Sequence, residues 1–166
     1  MRGFGRIILF GLLTLVLFPS CEKTTFRSSV PTYPVHVVID TRVGSFVHFK
    51  PDLKMPSAIT LTEKGYFYDG DFVRLPEVTD RWGYGGVLVY INLLGNYDAY
   101  DLACPYCASK GQCQRCEIDD IYAICPHCGE HYDIGSGTAA PQKGIANEYL
   151  RRINMIHSDG KITVHQ

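Results

Sequence analysis

Alternation of apolar and polar positions is the first readable pattern. In "VHVVI", Val35, Val37 and Ile39 share one face, as in a strand with one side against a core. "GVLVYIN", from Gly86 to Asn92, is continuously apolar, which predicts a strand covered on both sides. "YDAYDLA", from Tyr97 to Ala103, alternates again, and "IYAI" at residues 121 to 124 is a shorter apolar run. "RINMIH", "SDGK" and "ITVH" predict a closing hairpin, with Asp159 and Gly160 supplying the positive φ angles of its turn. Aromatic and β-branched residues dominate, and no segment keeps a 3.6-residue period over three turns. The expected fold is a small all-β domain, a sandwich or partly open barrel.

The N-terminus has a different pattern. Arg2 and Arg6 precede a 12-residue apolar run, Ile7 to Phe18, followed by "PSC". A basic start, a short apolar core and small residues predict a secretory signal over residues 1–20. The run is shorter than the roughly 20 apolar residues that span a bilayer. Cys21 follows it as in a bacterial lipoprotein signal, so Cys21 is the candidate lipidation site and the membrane is reached through a lipid anchor. Residues 21–34 are polar, carry two prolines and read as the lipidated cysteine and a tether. Residues 35–166 are long enough for one domain with its own core. The expected location is a bacterial cell envelope, on the periplasmic side or the outer surface.

Charge removes some functions. The net charge of −1 comes with no basic block, so no nucleic-acid partner is expected. "GYGG", Gly83 to Gly86, has neither a lysine nor a helical pattern behind it and is not a phosphate loop. Asp69, Asp71, Asp119 and Asp120 sit in turn-like stretches and read as solvated, not as a catalytic carboxylate pair. With no serine nucleophile motif either, no catalytic residue is assigned.

The cysteines carry the chemistry. Six of the seven fall between 104 and 128, as the pairs Cys104 and Cys107, Cys113 and Cys116, and Cys125 and Cys128. A Cys-x-x-Cys turn aims two thiolates at one centre, and a tetrahedral ion takes four. The outer pairs share the form Cys-Pro-x-Cys, and residues 108 to 124 separate them, a spacing typical of a tetracysteine site. Cys104, Cys107, Cys125 and Cys128 are therefore the candidate ligands. The middle pair fits three roles: a local disulfide Cys113–Cys116, free or redox-active thiols, or a replacement for one clamp. An exported chain with six cysteines also fits an all-disulfide framework. His127 and His131 flank the second clamp as alternative ligands or as hydrogen-bond donors to a sulfur. A thiol oxidoreductase is disfavoured, because no pair is followed by a helical pattern that would lower a thiol pKa.

The order of these features resembles a Rieske domain. "AYDLACP" is similar to the strand entering the first Rieske loop, and "CPHCGEHYDIGSG" to the second, with Cys125, Gly129, Tyr132, Asp133 and Gly137 at matching positions. The resemblance covers roughly Gly86 to His165, within the domain that begins at Val35. It is closest to exported Rieske-like lipoproteins of bacterial envelopes. Tyr106 stands in the first histidine slot and Cys128 in the second. The resemblance implies a Rieske-like sandwich with a rubredoxin- or zinc-ribbon-like metal-binding subdomain at about 103–138. It implies a four-cysteine centre holding a [2Fe–2S] cluster, or a single zinc or iron ion in its place. An iron–sulfur centre would make the chain an electron carrier with a redox partner protein. The alternative is a binding module of the envelope, pinned by zinc or disulfides, with no redox role.

Overall fold

The computed structural model describes residues 27–166. The expected signal over 1–20 and Cys21 lie outside the described residues. Thirteen strands form three antiparallel sheets, none closed into a barrel. β1 (Val35–Asp40), β5 (Arg81–Trp82), β12 (Asn154–Ser158) and β13 (Lys161–His165) make an outer sheet in the order β12-β13-β1-β5. β2 (Ser57–Thr62), β3 (Gly65–Tyr68), β4 (Asp71–Arg74), β6 (Val87–Ile91) and β7 (Tyr97–Asp101) make a central sheet in the order β4-β3-β2-β6-β7. β8 (Glu117–Asp119), β9 (Tyr122–Ile124), β10 (His131–Asp133) and β11 (Ala140–Lys143) make a small sheet in the order β11-β10-β9-β8. Among the described residues a 3-10 turn spans Gly44–His48, and one short helix, α1, spans Pro105–Ser109. Among the described residues no helix is long and apolar enough to cross a membrane.

The central sheet has a core on each face. Val87, Val89 and Ile91 point into the core shared with the outer sheet, beside Val37, Ile39, Ile162 and Val164. Leu88 and Tyr90 point the other way, into a core shared with Tyr132, Ile134 and the cysteines. Successive side chains of one strand face opposite sides, so a strand buried on both sides must be continuously apolar. That accounts for the uninterrupted run at β6. β1 is buried on one face only, and its pattern alternates as expected.

The closing hairpin pairs β12 with β13 from Asn154↔His165 to Ser158↔Lys161. Asp159 and Gly160 take φ of 50° and 69°, the left-handed pair that matches strand twist in a two-residue turn. Two expectations are corrected. The tether does not stay free throughout: Val30 is buried, Arg151 donates to its carbonyl at 2.7 Å, and Ser29 donates to Glu148. Its buried valine and its backbone carbonyls find partners on the domain, which outweighs its polar composition. One cysteine pair does sit at the start of a helix: α1 opens directly after Cys104, with Pro105 at its first position, and runs through Cys107. A single turn has no 3.6-residue period to read in the sequence.

Candidate metal centre

Two similar turns bring the outer cysteines together. Cys104 leaves β7 through Leu102 and Ala103, and its carbonyl accepts from Ala108 N–H at 2.9 Å. Cys125 leaves β9, and its carbonyl accepts from Gly129 N–H at 2.8 Å. The two closures have the same i to i+4 form. Each leading cysteine is also held from behind. Cys104 N–H donates to Gln114 O at 2.7 Å, and Cys125 N–H to Glu130 O at 2.9 Å. Gly129 turns the second clamp with φ of 74°, a left-handed conformation that glycine adopts without a Cβ penalty.

The result is one cluster. The sulfurs of Cys104, Cys107, Cys125 and Cys128 all lie within 4.8 Å of one another. Two contacts cross between the clamps: Cys104 to Cys128 at 3.6 Å and Cys107 to Cys125 at 3.8 Å. Three of the four are buried, and Cys128 is half-buried. This four-sulfur group could bind a metal ion. It offers thiolates only, a soft donor set suited to zinc or to iron–sulfur chemistry.

The surroundings favour charge on part of the cluster. Cys104 is held below the ordinary thiol range, first by the Cys116 thiol, then by the Tyr132 hydroxyl and the Cys107 N–H. Tyr132 Oη lies 3.4 Å from that sulfur and is fully buried. Cys125 is held down by the Cys116 thiol and by the N–H groups of Cys128 and His127. Burial pushes Cys107 and Cys128 the other way. Four thiols in one apolar shell cannot all ionise unaided, and a dication would reverse that for the pair that resists.

The middle pair separates. The local disulfide Cys113–Cys116, one of the three roles open to this pair, is absent, and all six described cysteines are free thiols. Cys113 is exposed, with its sulfur 3.5 Å from the Tyr84 carbonyl. Cys116 is buried, its N–H bonded to Leu102 O, and its thiol reaches Cys104 and Cys125. The strand pairing around Ala103↔Arg115 turns Cys116 inward and leaves Cys113 beyond the ladder. Nor does Cys116 replace a clamp ligand, because the four-sulfur group is the outer set. The all-disulfide framework is absent for the same reason: the clamps face each other as thiols.

The histidines fall outside the cluster. His127 is exposed and contributes only its backbone N–H. The His131 ring packs against Tyr122, with centroids 6.0 Å apart. Tyr106 packs at the edge of the cysteine core, under the Lys110 ammonium.

Sequence reading missed three supports. Besides Cys116 and the Tyr132 hydroxyl, the buried Asp101 accepts N–H bonds from Tyr84, Gly85 and Ala103 at 2.9, 2.8 and 2.8 Å. Burial raises its pKa, and these three donors oppose the shift. It fixes the backbone one residue before Cys104. The buried carboxylate was hidden because "YDAYD" reads equally well as alternation with solvent.

Comparison with protein-family models, with curated proteins and with solved structures finds no match.

Proposed function

We propose that this chain is an exported, lipid-anchored envelope protein with one mononuclear metal centre, and that the resident ion is zinc in a structural role. Cys104, Cys107, Cys125 and Cys128 would hold it, and the domain around it would serve as a binding module. The observation that carries this reading is the sulfur spacing. A zinc–sulfur bond of about 2.3 Å implies a tetrahedral edge of about 3.8 Å. The cross-clamp contacts of 3.6 and 3.8 Å fall at that edge. A two-iron cluster divides its cysteines between two metals, so sulfurs on different irons stand farther apart. Every pair here lies within 4.8 Å, which favours one ion. Between single ions, the affinity order of divalent metals favours zinc over ferrous iron. Four protein ligands leave no open position for a reacting water, so the chemistry supplied is cross-linking, not hydrolysis.

A second reading keeps the Rieske-like frame and a single iron that passes one electron to a redox partner. The half-buried Cys128, at the edge of an otherwise buried cluster, favours it by giving the centre a side near solvent. Metal analysis and a visible spectrum of anaerobically purified full-length protein separate the two. Zinc near one per chain without colour is expected. Iron with thiolate-to-metal absorption supports the carrier instead. Disulfides within both clamps in protein from its own envelope, with no metal, sink both readings. Mass spectrometry of the membrane fraction tests the anchor, and an unmodified Cys21 or a retained leader overturns it.

A further inference from the structure

The small sheet covers only part of the central sheet. Between them lies a groove of about 710 Å³, within the size range of ligand sites. Its walls include Ala58 and Phe67 from the central sheet, and Tyr90, Leu102 and Ile118. One wall is β8, the last strand in the order β11-β10-β9-β8, so β8 has a ladder partner on one side only. An edge strand beside an apolar trough is the setting in which an extended peptide adds as a further strand.

Charge narrows the occupant. Two of the three cations lining the groove are already committed: Lys54 pairs with Asp69 at 2.7 Å, and Arg115 with Glu63 at 2.8 Å. Asp69 is also occupied by the Ser57 hydroxyl and the Ala58 N–H. Glu117 and Asp120 line the β8 side, and their carboxylates have no hydrogen-bond or ion-pair partner among the described residues. Lys64, on the opposite wall, is the one uncommitted cation of the lining. The free charge is therefore two carboxylates against one ammonium. We infer that the groove binds an extended segment of a partner protein in which apolar residues alternate with lysine or arginine. The apolar side chains would enter the trough, and the cations would meet Glu117 and Asp120. This does not depend on which metal the cysteines hold.

Fluorescence anisotropy of the metal-loaded full chain in detergent tests it with two labelled peptides, one alternating leucine with lysine and one alternating leucine with glutamate. The lysine peptide is expected to bind and the glutamate peptide to bind more weakly. Adding salt should narrow the difference. The double variant Glu117→Gln, Asp120→Asn is expected to weaken the lysine peptide about fivefold, the scale of two exposed charge contacts. Hydrogen exchange should show new protection at β8. Binding of neither peptide, equal binding of both, an unchanged double variant, or protection confined to other strands overturns the inference.

Discussion

The two faces of the central sheet are covered by different means. On one face the outer sheet contributes long, regular strands: β1 pairs with β13 over five consecutive registers, and aliphatic side chains fill the space between. On the other face β8, β9 and β10 have three residues each. Strands that short bury little and hold few ladder bonds, and a small sheet of this kind is marginal by itself. Its core is made in part of cysteines. The first face is held by burial alone; on the second, the proposed metal clamp would add a cross-link to a core made partly of cysteines.

Removing the clamp should have the largest effect. A structural zinc site contributes on the order of 10 kcal/mol of apparent binding energy, which is folding energy for the part that forms the site. Chelation, or Cys125→Ser, is expected to unfold the region from Cys104 to Lys143 while the outer sandwich keeps its exchange protection. Loss of protection across both faces at once would erase the distinction. Acid should act in the same direction. Metal binding needs thiolates, and the raised Cys107 and Cys128 thiols must give up protons to the solution. Affinity should therefore rise with pH and fall as pH drops. The fall should steepen once Cys104 and Cys125, held below the ordinary thiol range, also take protons. Metal titrations across pH with a competing chelator measure this slope, and a flat profile counts against thiolate ligation.

Asp101 ties the loop at Tyr84 and Gly85 to the backbone entering Cys104, so its loss comes next. Asp101→Ala strands three N–H groups, each costing about 1–3 kcal/mol if left buried without a partner. The expected loss is about 3 kcal/mol or more in urea unfolding of the metal-loaded protein. Asp101→Asn keeps one acceptor oxygen and should fall between the two. An Asp101→Ala variant with unchanged stability would mean that water replaces the carboxylate easily, and that the approach to Cys104 is not pinned from this side.

The two faces also differed in how far the sequence revealed them. Along β1, β6 and the closing hairpin, where burial decides the structure, periodicity displays it; β2, β3, β4 and β5 were not apparent, although Ile59, Leu61 and Tyr66 fill the same core. The alternation of Val35, Val37 and Ile39, the double burial of β6, and the Asp159–Gly160 turn were all readable. On the clamped face, spacing found the four ligand sulfurs, because a Cys-x-x-Cys turn is a local geometry. What it could not find were groups that matter only through tertiary placement. Cys116 looked like the partner of Cys113 because they are close in sequence, yet the ladder at Ala103↔Arg115 turns one inward and leaves the other outside. Tyr132 stood out only as a position matching the second Rieske loop, and nothing local announces that its hydroxyl meets Cys104. Val30 lay in a polar, proline-bearing stretch, and its burial depends on residues more than a hundred positions away.

Two glycines give the smallest and sharpest comparison. Gly129 in the second clamp and Gly160 in the closing hairpin have nearly the same left-handed φ, 74° and 69°. Alanine at either site adopts that conformation at a cost of about 1–2 kcal/mol. A Cβ at Gly129 meets nothing within 4 Å, so backbone strain dominates there, while one at Gly160 would lie 2.6 Å from Arg42 Cγ and 3.6 Å from Thr41 Oγ1, so displacement of the Arg42 side chain adds to the strain. The costs should nevertheless appear in different measurements. Gly160→Ala should lower the unfolding free energy of the sandwich and leave metal affinity unchanged. Gly129→Ala strains the turn whose N–H closes onto the Cys125 carbonyl, so it should weaken the metal by about tenfold, the same strain read as a binding constant. It should leave the sandwich's stability unchanged. If both variants lower sandwich stability equally and neither changes the metal constant, the clamp is not a separate element. The two faces would then stand or fall as one core.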